Sequence, residues 1–184
     1  MKLIDEIFGA IKIIQLEKYE DNRGSFSEVF RADKFAKFGI PHTFLQENQS
    51  ISHKNVIRGL HLQYLPKQGK LIRVIQGIAQ FVELDFRPGN TFGKHIDFII
   101  SADDNLVLWV PFGFANGFAA LSDKLIVNYK VTEYWNAFGE ISIKYNSPEL
   151  DIKWKVQNPI VSDKDQNAIT FMEFTQKILP HIEF

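Results

Sequence analysis

Residues Lys70 to Phe86 read KLIRVIQGIAQFVELDF, two apolar, β-branched runs with one glycine, Gly77, between them. Short runs of this kind bounded by a turn residue read as strands. The pattern spreads in both directions. Upstream lie AIKIIQLE (10–17), DNRG (21–24) and SFSEVF (25–30); downstream lie RPGNTFG (87–93), KHIDFII (94–100), SADDN (101–105), LVLWV (106–110), PFGFANGF (111–118) and LIVNYKVT (125–132). Many short strands separated by Gly, Pro, Asn and Asp indicate an all-β sandwich, barrel or jelly roll, not alternating βα units. Seventeen phenylalanines suit a thickly filled β interior. Pro111, Gly113 and Gly117 mark a tight turn. RADKFAKFG (31–39) reads as a short helix ended by Gly39. DKDQNAITFMEFTQKIL (163–179), after a Ser162 cap, reads as one amphipathic C-terminal helix ended by Pro180.

With 184 residues and 45% hydrophobic content, the chain reads as one domain, 1–184, able to build a core without disulfides or a structural metal. There is no cysteine, so thiolate nucleophiles and thiolate-rich zinc sites are excluded. The start, MKLIDEIFGAIKIIQLEKYED, carries acids where a signal peptide needs a clean apolar core, and no run reaches the roughly 18 apolar residues of a membrane span. A cytoplasmic protein is expected. The net charge of −1 gives no bulk attraction to nucleic acid or membrane, so neither is expected as a partner. G-x-G-x-x-G after a strand, G-x-x-x-x-G-K-[ST] and G-x-S-x-G are all missing. Chemistry is therefore left to side chains lining a β cavity.

His61, in IRGLHLQ (57–63), is the first candidate. A lone histidine on an apolar strand is more often a satisfied structural residue than a base. A metal-binding jelly roll would place a second imidazole two residues on, yet position 63 is Gln, and no metal is expected. Period-two reading puts Phe26 with Glu28 on one face, and Gln46, Asn48 and Ser50 on another. That polar face is either solvated or lines a cavity. Strict alternation sets Arg58 opposite to His61, unless a bulge at Gly59 brings them to one side. Tyr129, between Val127 and Val131, is either a core residue or a proton donor. Asp163 and Asp165 suit the first turn of a helix, or one of them orients an imidazole.

Eight segments in order, DNRGSFSEVFR, FLQENQSIS, IRGLHLQ, QGKLIRVIQG, ELDFRPGNTFGKH, WVPFGFANGF, NYKVTEYW and VSDKD, resemble the dTDP-4-dehydrorhamnose 3,5-epimerase family, nucleotide-sugar epimerases built on a cupin-type jelly-roll β-barrel. The resemblance implies an all-β jelly roll with a few short peripheral helices, a nucleotide-sugar substrate, no cofactor, and a homodimer in which N-terminal strands pair between subunits. The apolar AIKII run, which would need a partner edge, hints at the same. It also implies His61 as general base, Asp165 as its partner and Tyr129 as proton donor on the other face of the sugar. Arg23, Phe26, Glu28, Gln46, Asn48, Arg58, Lys70 and Lys164 match positions around the sugar, base and diphosphate, and Glu140 a position near the nucleoside. The implied reaction inverts C3 and C5 of a 4-keto-6-deoxy sugar for deoxysugar and surface-polysaccharide synthesis. A C3-only epimerase and a non-catalytic sugar-nucleotide binder are the alternatives. Two departures stand out: the family usually reads GFAHGF where this chain has Asn116, and often two adjacent tyrosines where it has Tyr134 and Trp135.

Overall fold

The computed structural model describes residues 1–184. In chain order the strands are β1 (Lys2–Ile7), β2 (Ile11–Gln15), β3 (Tyr19–Asp21), β4 (Gly24–Phe26), β5 (Gln46–His53), β6 (Ile57–Gln63), β7 (Lys70–Gln76), β8 (Ile78–Asp85), β9 (His95–Ser101), β10 (Leu106–Val110), β11 (Phe114–Ala120), β12 (Lys124–Val131) and β13 (Glu140–Ser142). They form a six-stranded sheet ordered β1-β2-β10-β7-β12-β5, a five-stranded sheet ordered β13-β6-β11-β8-β9, and the β3-β4 hairpin. All named pairings are antiparallel. The expected all-β jelly roll is the observed fold.

The 70–86 stretch shows how the layers arise. β7 belongs to the six-stranded sheet and β8 to the five-stranded one, so the chain changes sheet at Gly77. Gly77 has φ +85°, and a Cβ there would lie 2.3 Å from the Lys124 carbonyl oxygen. Only glycine fits that corner. Alternation then divides the side chains: Ile72, Val74, Ala79 and Phe81 enter the core between the sheets, while Leu71, Val82 and Leu84 turn outward. The outward residues are buried as well. Val82 and Leu84 lie beneath Leu150 and Phe174 of the C-terminal segment, and Leu71 beneath Phe35 and Ile40. Burial on both faces explains why the stretch reads as nearly continuous hydrophobicity.

Three expectations need correction. The C-terminal helix is broken into α2 (Asp163–Gln166) and α3 (Phe171–Lys177), following the short α1 (Ala32–Ala36). Thr170 caps α3 in a reciprocal box with Glu173, and the Ile169 carbonyl accepts from Lys144 N–H, so backbone groups there are taken by other partners. Pro180 lies inside a 3₁₀ turn, Leu179–His181. Gly117 is not in the turn with Gly113 but in β11, where a Cβ would meet Leu60 Cδ2 at 2.8 Å and Arg58 O at 3.1 Å. The AIKII run forms β2, paired with β1 and β10, so it offers no free edge.

Candidate active site

A cavity of 740 Å³ lies between the two sheets, and both contribute polar side chains to it. From the five-stranded sheet come Arg58 and His61 of β6, Asn116 of β11 and Glu140 of β13. Facing them from the six-stranded sheet are Gln46, Asn48 and Ser50 of β5, Lys70 of β7 and Tyr129 of β12. The polar face of FLQENQSIS thus lines a cavity. Trp135, Lys164 and Asp165 also line it.

Arg58 and His61 reach the same side because β6 is irregular against β11. Asn116 pairs with His61 and Phe118 with Arg58, so β6 carries one residue more than its partner between the two points. Gly59 sits in this bulge at φ +106°, and a Cβ there would lie 2.6 Å from Asn116 O and 2.7 Å from Gly117 Cα. The irregularity needs two glycines facing each other.

His61 Nε2 lies 2.6 Å from Asp165 Oδ1. Asp165 comes from 104 residues along the chain and is 3% exposed. Ser162 holds the turn by accepting from the Asp165 N–H at 3.2 Å, and the second carboxylate oxygen accepts from Gly59 N–H at 3.3 Å. Burial pushes the Asp165 carboxyl up, but hydrogen bonds and charge from His61, with those from Gly59 and Ser162, outweigh it and hold the group below the usual carboxylate range. An ionised carboxylate only accepts, so His61 Nε2 carries the hydrogen, and in the neutral imidazole Nδ1 is then the nitrogen with the lone pair. Asp163, the other acid of VSDKD, stays exposed.

Tyr129 is half-buried on the opposite wall, and burial, reinforced by the charge of Glu140, raises its phenol above the ordinary value despite Arg58. Its hydroxyl is therefore protonated at neutral pH. Lys70 reaches across the cavity to donate to the His61 carbonyl at 3.2 Å; burial pushes its ammonium down, against the pull of Glu83 and Glu140. Arg58 Nε donates to Ser52 Oγ at 3.0 Å. Glu140 is paired with Lys164. Gln46 accepts from the Trp135 N–H at 3.0 Å and donates to Asn48 at 2.8 Å. Trp135 remains 56% exposed at the lip.

Gln63 shows why the second imidazole position is an amide. It donates to Tyr134 O at 2.9 Å and Pro66 O at 3.2 Å and accepts from Asn136 N–H at 2.9 Å, tying down the loop that carries Trp135. It is a structural residue.

Arg23, Phe26 and Glu28 are not brought to this cavity. Arg23 is exposed on the β3-β4 hairpin and pairs with Asp21 at 2.6 Å. Phe26 is 70% exposed, and Glu28 pairs with Lys34 at 2.8 Å. Phe26 and Glu28 line a separate hollow with Leu71, Arg73 and Lys130. Glu83, which is not among the expected site residues, is buried against Asn116. Alternation with Phe81 in AQFVELDF held the signal, since it places an acid on an inward face.

The family model for dTDP-4-dehydrorhamnose 3,5-epimerase matches residues 6–173. A curated dTDP-4-dehydrorhamnose 3,5-epimerase of Neisseria gonorrhoeae is 39% identical over 97% of this chain, which spans 55% of that relative's length. That of Shigella flexneri is 38% identical, covering 94% of this chain and 97% of the relative. Among solved structures, the epimerase of Bacillus anthracis with TDP and PPi bound superposes with a TM-score of 0.89 at 40% identity, over 92% of this chain and 98% of that one. With its fold, the order of its motifs and the match over most of its length in agreement, the chain belongs to the dTDP-4-dehydrorhamnose 3,5-epimerase family, a family of isomerases.

Proposed function

We propose that this chain inverts C3 and C5 of a nucleotide-linked 4-keto-6-deoxy sugar, converting dTDP-4-dehydro-6-deoxy-glucose to dTDP-4-dehydrorhamnose for deoxysugar synthesis. The observation that carries this reading is the His61–Asp165 pair on one wall of a cavity whose opposite wall holds Tyr129. A carbon next to a ketone is a weak acid, so its deprotonation needs a positioned base and a group that stabilises the enolate oxygen. His61 Nδ1 takes the proton. Lys70 and Arg58 supply positive charge to the enolate. Tyr129 returns a proton from the opposite face, which inverts the centre. Arg58, Lys70 and Lys164, with Gln46 and Asn48, offer donors to the diphosphate and sugar. Mixing enzyme and substrate in D₂O is expected to place deuterium at both C3 and C5, read by proton NMR. Exchange at C3 alone selects a 3-epimerase, and exchange at neither rejects the epimerase reading.

The active form proposed is a cytoplasmic homodimer of single-domain subunits. Arg23 and Phe26, on an exposed hairpin, and Glu28, just after it, lie outside their own chain's cavity. A second copy gives that hairpin a site to complete. Light scattering is expected to return the mass of two chains; an active monomer would remove the dimer from the scheme.

A further inference from the structure

Three side chains form a row across the five-stranded sheet. His61 on β6 stands opposite Asn116 on β11, and Asn116 stands opposite Glu83 on β8. Directly opposed residues leave a sheet on the same face. Asn116 Nδ2 donates to Glu83 Oε1 at 2.5 Å. Glu83 is 0% exposed, and its Oε2 is enclosed without a hydrogen-bond partner. The proton transfers described above make no use of this carboxyl.

A buried carboxylate with an unpaired oxygen is costly, whereas the neutral acid loses far less on leaving water. Burial pushes the Glu83 carboxyl well above the usual range, by more than the Asn116 hydrogen bond and the Lys70 charge draw it down. Lys70, from β7, is the charged group acting on it, and its β9 neighbour, Ile96, brings no charge. Asn116, in turn, lines the cavity beside His61.

Resting on the function proposed above, we propose that Glu83 is a positioning residue: it accepts from Asn116 Nδ2, so that Asn116 Oδ1 is presented as an acceptor to a sugar hydroxyl beside the carbon His61 deprotonates. An unclamped amide turns over and offers either a donor or an acceptor. A clamped one offers a single choice, which discriminates between sugars that differ in the orientation of a hydroxyl.

The test uses the full chain, with Glu83→Met to remove the polar group at similar volume and Glu83→Gln to keep it. In ¹⁵N-labelled protein the Asn116 side-chain NH₂ signal is identified by its loss in Asn116→Ala. Its hydrogen exchange is expected to quicken at least about tenfold in Glu83→Met and to stay near wild type in Glu83→Gln. Equal exchange in Glu83→Met and wild type overturns the clamp. With dTDP-4-dehydro-6-deoxy-glucose, Glu83→Met and Asn116→Ala are each expected to lower kcat/KM about 10- to 100-fold, the span of one buried hydrogen bond. The double variant is expected to be no worse than Asn116→Ala, and Glu83→Gln to recover most of the loss. Losses that multiply in the double variant overturn the proposal, because Glu83 would then act independently of Asn116. A wild-type protein that exchanges no substrate proton rejects the epimerase reading instead, and the amide measurement still decides Glu83.

Discussion

His61→Asn is expected to lower solvent-deuterium exchange at C3 and C5 by about 10²- to 10⁴-fold, the usual contribution of a positioned acid–base group. Asparagine has no titrating lone pair near neutral pH, so it cannot take a carbon-bound proton. The fold should survive, because His61 is a quarter exposed and the apolar residues beside it, Leu60 and Leu62, carry the packing of β6. The hydrogen bond lost is one to an ionised carboxylate, worth about 1.5–3 kcal/mol. The measurement is NMR exchange alongside urea denaturation of the same preparation. Full exchange in a folded variant would remove His61 as the base.

Asp165→Asn tests the same pair from the other side. The carboxylate accepts from two donors, His61 Nε2–H at 2.6 Å and Gly59 N–H at 3.3 Å. An asparagine has one acceptor oxygen for the two. Either Gly59 N–H is left unpaired, or the imidazole changes tautomer and its Nδ1 takes the hydrogen it should be free to accept. The rate is expected to fall about 10²- to 10⁴-fold, as in other base–carboxylate pairs that lose their orienting acid. Stability should fall by about 1–3 kcal/mol at pH 7. The pH dependence has a definite sign. The folded Asp165 carboxyl lies below its unfolded value of about 3.9, so its stabilisation is complete above that pH and is lost as pH falls through the folded value. The gap between wild type and Asp165→Asn in urea denaturation should therefore be widest at neutral pH and shrink below about pH 4. A constant gap down to acid pH would show that the pair contributes nothing through ionisation.

Several features could be read before any coordinates. The turn residues between apolar runs identified an all-β fold, because Gly, Pro, Asn and Asp interrupt strands for local backbone reasons that need no tertiary context. Gly59 marked a bulge for the same reason, and β6 does gain a residue there. The polar alternation of Gln46, Asn48 and Ser50 was visible, but its partner was not: a polar face looks the same against solvent or a cavity. The C-terminal helix was drawn too long. Helical periodicity continues through Asn167–Thr170, while the contacts that end it, Lys144 on Ile169 and Thr170 with Glu173, come partly from a segment distant in sequence.

By itself the sequence determined the fold class, through periodicity and turn chemistry, and the family, through the order of its motifs. Only the tertiary structure decided which side chains share an environment. His61 and Asp165 meet across 104 residues, Glu83 comes to lie behind Asn116, and Arg23, Phe26 and Glu28 fall outside the cavity. The physical reason is that strand pattern specifies a face, whereas the pairing of faces depends on how two sheets close over one core. A buried carboxyl such as Glu83 has a meaning only once that closure has removed its water.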